Sequence, residues 1–397
     1  MGMRTGKKRL VRGSMIVGLV FVVACLIIIG TVQSWRYTEA GRVPPKTAVI
    51  LHAVDEQLLP QGLSTPSFLA SPTAPTITRI DTEMATSDGG SIPLRIYKPI
   101  AAGPHPVIVY YHGGAFMEGY GNIESHDNVI RSLAGRTQAI VVAPGYRLAP
   151  EFEYPTAFND SYETVKWVEQ EADLLDADVS QLAVAGDSAG GNLAAAVSYR
   201  AKSEEGPFIK SQVLLYPLTT FLDSEFASRD LYSSGYYFLS RGVMERSRQT
   251  YAPIEEDWSS PFTSPLLTED LSDMPDTLVL TAEFDPLRDE GEAYAKRLFE
   301  AGNQVTAVRY DGVMHGFVSF YEVMERGNDG MRQMASYLNQ SFSSTGQETY
   351  NKKGFEISVL ETQDSWRDEL EAYAMGAYLI GRHIERRISD IFLQNEA

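Results

Sequence analysis

The chain has almost no cysteine and no excess of positive charge. Cys25 is the only cysteine among 397 residues, which excludes an intrachain disulfide and a metal site built from several cysteines. Asp and Glu outnumber Lys and Arg by 52 to 34, and the net charge of −18 argues against nucleic acid as a partner, because phosphate binding needs a basic surface. Hydrophobic residues make up 44% of the chain, enough for a core of domain size held together by burial alone.

One long uncharged run lies near the N-terminus. Residues 1–14 carry five basic and no acidic side chains, and the next eighteen residues, MIVGLVFVVACLIIIGTV, carry no charge. Eighteen helical residues span about 27 Å, close to the thickness of a bilayer core. An uncleaved transmembrane signal anchor over residues 15–34 is therefore predicted, with residues 1–14 as a basic cytosolic tail and the rest of the chain extracytosolic. A cleaved signal for secretion and a lipoprotein carrying lipid on Cys25 remain alternatives.

The rest of the chain predicts one large domain with additions. Residues 35–76, rich in Pro, Ser and Thr, are predicted to form a stalk or an N-terminal cap segment. Residues 77–343 alternate strand-like and helix-like segments, including one helix over residues 318–338, and this alternation predicts a mostly parallel central sheet with helices on both faces. An insertion at about 219–271 breaks the alternation and predicts a cap.

The tail, residues 344–397, is predicted to be a linker followed by an amphipathic helix. Asp364 or Ser365 is expected to cap the helix. Apolar residues recur every three or four positions at Leu370, Tyr373, Ala377, Ile380, Ile384, Ile388 and Ile391. We expect this helix to dock on another surface or to form a homo-oligomer contact.

The segment LAVAGDSAGGNLAAAVSYR, residues 182–200, joins a strand pattern to a helix pattern with almost no connector. Ser188 lies at the junction, between Gly186 and Gly190. A strained turn of this kind, a nucleophile elbow, lifts a serine hydroxyl above the sheet edge. Both glycines are expected because a side chain at either position would clash where strand and helix meet.

A serine nucleophile needs a base, and the base needs a carboxylate that fixes its tautomer. His315, in the loop YDGVMHGF after the last predicted strand, is the expected base, and His126 is a weaker candidate. Asp285, at the end of the strand DTLVLTAEFD, is the expected acid, whereas helix capping explains its neighbour Asp289. The chain order Ser188, Asp285, His315 is that of the α/β-hydrolases.

The segment YYHGGAFMEG, residues 110–119, predicts an oxyanion hole. Acyl transfer passes through an oxyanion that needs preorganised N–H donors. Gly113 and Gly114 are expected to supply two donors and Ala189 a third. His112 is expected to organise the loop. No metal or cofactor is needed for this chemistry.

Together these segments resemble the hormone-sensitive-lipase-like esterases, a family of α/β-hydrolases with HGGG and GDSAGG motifs. The segments are HGGAF, GDSAGGNLAAA, YRLAPEFEYPTAFND, SSPFTSPL, DPLRDEG and HGF, and the resemblance extends from Ile77 to Asn339. Ala115 replaces the third glycine of the first motif. The anchored layout is similar to that of the arylacetamide deacetylases in this family.

The resemblance implies the α/β-hydrolase fold and a serine carboxylesterase, and the predicted signal anchor would hold this enzyme at a membrane. The enzyme would hydrolyse small-molecule esters with short- to medium-chain acyl groups through an acyl-enzyme on Ser188, and Tyr232, Tyr236, Tyr237 and Phe238 of the insertion would set the acyl length. An amidase or deacetylase with the same triad remains an alternative. So does a catalytically inactive, membrane-tethered binding module.

Overall fold

The computed structural model describes residues 3–56, 58, 77–223, 225–344, 354–362 and 365–394, with side chains from residue 15 to residue 386 within those ranges. The chain divides into two compact units. The first consists of Met1–Leu63 with Thr362–Ala397, and the second of Ser64–Glu361.

Nine of the eleven strands in the described residues form a single sheet in the second unit. In chain order the strands are β1 (Tyr37–Thr38), β2 (Gly41–Arg42), β3 (Ile77–Ala85), β4 (Ser91–Pro99), β5 (His105–Tyr111), β6 (Ile140–Pro144), β7 (Ala177–Asp187), β8 (Ser211–Leu215), β9 (Asp276–Phe284), β10 (Val305–Met314) and β11 (Ile357–Leu360). The order in the large sheet is β11-β10-β9-β8-β7-β5-β6-β4-β3. Only the β3–β4 and β4–β6 pairs are antiparallel, so the predicted mostly parallel sheet is confirmed.

The helices surround this sheet in the second unit and form most of the first. In chain order they are α1 (Met3–Trp35), α2 (Pro45–Asp55), α3 (Asp127–Thr137), α4 (Thr156–Gln170), α5 (Ala172–Leu175), α6 (Ala189–Ser203), α7 (Ala227–Leu231), α8 (Arg241–Tyr251), α9 (Arg288–Glu300), α10 (Glu325–Ser343) and α11 (Trp366–Gln394). The single helix predicted over residues 318–338 is wrong in its first part. A short 3₁₀ turn, Phe317–Phe320, is separated from α10 by residues 321–324, and the extended backbone of Met324 interrupts the helical path.

The central strands read as continuous apolar runs because both of their faces are covered. Every residue of β6 and β8 is buried, and so are six of the seven residues of β5. Three parallel strands, β7, β9 and β10, end immediately before the predicted site residues Ser188, Asp285 and His315. Parallel strands end at the same sheet edge, so the topology brings three distant chain segments together there.

The tail contributes a strand that the sequence did not predict. Strand β11 pairs in parallel with β10, and Ala307 lies opposite Ile357. Four residues are too few to show a clear period, and none of them is fully buried in this edge position. The linker expected before it falls largely on residues 345–353, which lie outside the described residues.

The insertion, residues 219–271, contains α7 and α8 and is tied to α9 by a buried ion pair. Arg229 Nε donates to Glu290 Oε2 at 2.8 Å, and the backbone N–H of Thr219 donates to Glu290 Oε1 at 2.7 Å. Glu290 is fully buried. Removal of one partner would leave an uncompensated buried charge, so this pair holds the start of the insertion against α9.

In the first unit, the described part of α1 is mostly exposed and packs against α2 and α11 only near its C-terminal end. The segment Met15–Trp35 is long and apolar enough to cross a membrane, and only 6% of its most apolar stretch is buried. Val32, near its end, is buried with Val49 of α2 and with Ala372 and Leu379 of α11. Among the described residues, the apolar surface of α1 before Val32 is therefore mostly without protein contacts.

The tail helix α11 docks on α1 and α2 of the same unit. Gln33 Nε2 donates to the Tyr373 hydroxyl at 2.7 Å, and Lys46 Nζ lies 3.0 Å from Asp368 Oδ1. Gly376 lets the helices approach closely, because a Cβ there would lie 2.5 Å from Val32 Cγ2.

The predicted apolar stripe of the tail is only partly right. Leu370 and Ile384 are exposed, whereas the buried line runs through Ala372, Gly376 and Leu379. Ile388 and Ile391 lie outside the described side chains. Ser365 Oγ accepts the N–H of Asp368 at 3.0 Å and caps the helix, while Asp364 lies outside the described residues.

Candidate active site

Ser188 lies on a sharp turn between β7 and α6. Its backbone has φ 54° and ψ −116°, a strained conformation for a residue with a side chain. The expected clashes at the flanking glycines are confirmed: a Cβ at Gly186 would lie 2.2 Å from the Gly190 carbonyl oxygen, and one at Gly190 would lie 2.0 Å from that of Tyr111. The turn therefore requires glycine on both sides of the serine.

The structure brings Ser188, His315 and Asp285 into one hydrogen-bonded chain. His315 Nε2 lies 2.9 Å from Ser188 Oγ, and His315 Nδ1 lies 2.8 Å from Asp285 Oδ2. Asp285 is fully buried, and its Oδ1 accepts the backbone N–H of Leu287 at 2.8 Å. With both oxygens engaged, the carboxylate fixes the orientation of the imidazole, and the imidazole can accept a proton from the serine hydroxyl.

Asp289 faces away from this chain. Its Oδ2 accepts the backbone N–H of Ser228 in α7 at 2.9 Å, and its Oδ1 accepts from Arg288 Nε at 2.8 Å. This carboxylate holds the insertion and makes no contact with His315.

The prediction that Gly113 is an oxyanion donor does not agree with its hydrogen bonding. The N–H of Gly113 donates to Asp187 Oδ1 at 2.9 Å, so it is not free to bind an oxyanion. Among the described residues, the N–H groups of Gly114, Ala115 and Ala189 donate to no protein acceptor. Ala115, the residue that replaces the third glycine, therefore has a free N–H, whereas Gly113 has none.

The loop that carries the amides of Gly114 and Ala115, residues 112–118, is called the oxyanion loop below and has little conformational freedom. Gly114 has φ 130°, and a Cβ on it would lie 2.7 Å from the backbone of Gly121. Ala115 and Phe116 follow with φ 54° and 59°, the left-handed region that favours glycine.

Asp187 lies directly before the serine, and its role was not predicted from the sequence. Its Oδ1 also accepts the Tyr110 hydroxyl at 2.8 Å, and its Oδ2 lies 3.2 Å from His126 Nε2. Burial disfavours the charged forms of Asp187 and His126, but the attraction between the two charges outweighs this effect. The pKa of Asp187 is therefore lowered and the pKa of His126 is raised. His126, the weaker candidate base, therefore pairs with the carboxylate that holds the oxyanion loop.

His112 lies inside the same loop. Its ring stacks on Tyr146 at 4.1 Å between centroids, and its Nδ1 lies 2.8 Å from the Gly113 carbonyl oxygen. Burial lowers the pKa of His112 to about 3, so the ring is neutral at physiological pH. These contacts fit the predicted organising role.

The aromatic residues predicted to set the acyl length lie in different surroundings. Tyr232 and Tyr237 are buried against Phe284, the last residue of β9, where they support the strand that carries the acid. Phe238 is partly exposed, and its ring lies 3.1 Å from where a Cβ on Gly316 would be. Phe238 therefore lies beside the loop that carries His315.

In the described part of the chain, no group of three or more His, Cys, Asp or Glu side chains is placed to hold a metal ion.

Comparison with known proteins agrees with this geometry. A family described as alpha/beta hydrolase fold matches residues 108–319. An arylesterase of Saccharolobus solfataricus is 38% identical over 57% of this chain and 73% of its own length. An ethyl acetate hydrolase of Pseudomonas putida is 35% identical over 66% of this chain and 82% of its own length.

The chain is also similar to solved structures of esterases. A hyperthermophilic esterase from Pyrobaculum calidifontis is 43% identical, with a TM-score of 0.64, and covers 66% of this chain and 85% of its own. A thermostable esterase from Pseudomonas putida is 32% identical, with a TM-score of 0.68, over 76% of this chain and 98% of its own. The family match, the motifs and these relatives show that the protein belongs to the hormone-sensitive-lipase-like family of alpha/beta hydrolases.

Proposed function

We propose that the protein is a membrane-anchored serine carboxylesterase that acts through an acyl-enzyme on Ser188. The observation that carries the proposal is the hydrogen-bonded chain from Ser188 Oγ through His315 to Asp285 at the end of the parallel strands. The esterases among its relatives support the same reaction class.

The reaction has two matching halves. His315 takes the hydroxyl proton as Ser188 Oγ attacks the ester carbonyl, and the oxyanion is held by the N–H groups of Gly114, Ala115 and Ala189. His315 then protonates the leaving alcohol, which departs as the carbonyl re-forms. Water attacks the acyl-enzyme by the same path, giving its proton to His315, and the acid is released with the serine regenerated.

The substrates we propose are esters of short- to medium-chain acids. The name of the ethyl acetate hydrolase supports a small acyl group, and that of the arylesterase supports an aromatic alcohol. The insertion forms the cap over the acyl site, and Phe238, beside Gly316, is its residue best placed to limit acyl length.

We propose that α1 remains in the mature protein as a signal anchor, with the catalytic unit on the extracytosolic side. The packing of Val32 against α2 and α11 supports retention, because cleavage after α1 would strip buried apolar surface from both helices. The mass of the mature chain, purified from membranes, tests this. Loss of residues 1–34 supports the cleaved signal, and lipid on Cys25 supports the lipoprotein.

The test of the activity uses the full chain in detergent with a series of p-nitrophenyl acyl esters. Ser188→Ala is expected to abolish hydrolysis and labelling by a fluorophosphonate, while the wild type is labelled once. Labelling without ester turnover, together with hydrolysis of acetyl amides, would favour the amidase alternative. No labelling of the wild type at high probe excess would favour the inactive binding module and refute the proposal.

A further inference from the structure

We infer that helix α8 of the insertion holds the oxyanion loop in its active conformation through Ser247 and Tyr251. The inference rests on the proposed function. It makes Ser247 a positioning residue for the reaction, since its hydroxyl acts on the loop and not on the substrate.

The loop contains two consecutive strained residues. Ala115 and Phe116 both have side chains, and both have positive φ, 54° and 59°. Such conformations persist only where surrounding contacts hold them. Backbone N–H groups hold the carbonyls on either side of Ala115: Met117 N–H of the same loop donates to the Gly114 oxygen at 3.0 Å, and Ala149 N–H of a separate segment donates to the Phe116 oxygen at 2.9 Å. Neither of them reaches the carbonyl of Ala115.

Helix α8 supplies the hydrogen bond to the Ala115 carbonyl. Ser247 Oγ donates to the Ala115 carbonyl oxygen at 2.8 Å, and Ser247 is only 3% exposed. One turn later, the Tyr251 ring stacks on the Phe116 ring with 4.2 Å between centroids and 5° between planes. Residues four apart share one face of a helix, so a single face of α8 holds both strained residues.

The contact matters because of where the loop amides point. The Ala115 N–H, one of the three free donors, belongs to the peptide whose carbonyl is that of Gly114, and Met117 N–H holds this carbonyl. The Ala115 carbonyl belongs to the next peptide, and Ser247 holds it. If Ala115 left its left-handed conformation, the two peptides would rotate against each other and one of these hydrogen bonds would break. The position of α8 therefore decides whether the hole is formed, and a displaced insertion would leave the triad intact but the oxyanion unsupported.

The first experiment compares Ser247→Ala with Gln249→Ala, an exposed residue of the same helix. Steady-state hydrolysis of p-nitrophenyl acetate is measured on the full chain, with active sites counted by fluorophosphonate titration. Ser247→Ala is expected to lower kcat per site about five- to tenfold, the rate equivalent of one buried hydrogen bond, with KM unchanged. Gln249→Ala is expected to match the wild type.

The second experiment relieves the strain itself. In an Ala115→Gly background the left-handed conformation no longer needs external support. There, Ser247→Ala is expected to change kcat by less than about twofold. An equal loss in both backgrounds would overturn the inference. So would a rise in KM at constant kcat, or a lower count of active sites with kcat per site unchanged. In each of these cases Ser188→Ala would still abolish turnover, which keeps the proposed function separate.

Discussion

Replacement of Asp285 by Asn tests whether Asp285 or Asp289 is the acid that orients His315, because only the true partner controls the tautomer of this histidine. The Leu287 N–H donates to one carboxylate oxygen of Asp285, and His315 Nδ1–H donates to the other. In Asp285→Asn, the side-chain oxygen keeps the Leu287 bond and the amide NH₂ faces Nδ1. His315 must then carry its proton on Nε2, toward Ser188, and its remaining lone pair, on Nδ1, cannot take the serine proton.

The expected size of the effect follows from the loss of the base. A wrong tautomer with intact geometry lowers kcat about 10⁴-fold, equivalent to about 5 kcal/mol in the activation barrier. The assay is saturating p-nitrophenyl acetate hydrolysis at pH 8, with each variant corrected for the fraction of folded protein.

Asp289→Asn is the matched control. Asn at this position keeps an acceptor for Ser228 and loses the charge and the hydrogen bond opposite Arg288, in a partly exposed pair worth about 1 kcal/mol or less. We expect kcat within about twofold of the wild type and a small drop in melting temperature. Equal damage from the two substitutions, or more than a tenth of the activity left in Asp285→Asn, would refute the acid assignment.

Three further results are expected. The pKa of His112 is about 3 in the fold against 6.5 ordinarily, so its neutral form stabilises the fold fully above pH 6.5 and progressively less as the pH falls toward 3. Between pH 8 and pH 5, His112 should lower the free energy of unfolding in urea by about 2 kcal/mol, and this decrease should be absent in His112→Asn. An equal decrease in both proteins would contradict a buried neutral ring. Phe238→Ala should shift the p-nitrophenyl ester preference toward longer acyl chains, because the ring covers Gly316; an unchanged preference would remove Phe238 from the acyl site. Gly376→Leu should force α11 away from Val32 and speed proteolysis of the tail, whereas an unchanged cleavage rate would mean that this contact does not hold the helix.

The parts of the site that were predicted well are those encoded within short segments. Ser188 lies between a strand pattern and a helix pattern, and the two flanking glycines mark the turn within five consecutive residues. Asp285 and His315 each follow a strand, so a parallel sheet is enough to place them at one edge. The fold class could be predicted for the same reason, since alternating strands and helices leave few other arrangements.

The parts that were missed depend on partners far away in sequence. Gly113 looks like a free donor in its own segment, but Asp187, 74 positions later, accepts its N–H. Ser247 has no local signal at all, since its partner is the Ala115 carbonyl 132 positions earlier. Strand β11 exists because β10 offers an unpaired edge to a short segment with a weak pattern of its own.

By itself, the sequence therefore determined the sheet, the elbow and the order of the three reacting side chains, because periodicity and turn chemistry act over a few residues. The tertiary structure alone decided which amides of the oxyanion loop are free and what holds that loop in place. A peptide plane can rotate with little change in local sequence preference, and only distant contacts settle its orientation. Asp187 of β7 accepts the Gly113 N–H, and Ser247 of α8 donates to the Ala115 carbonyl oxygen.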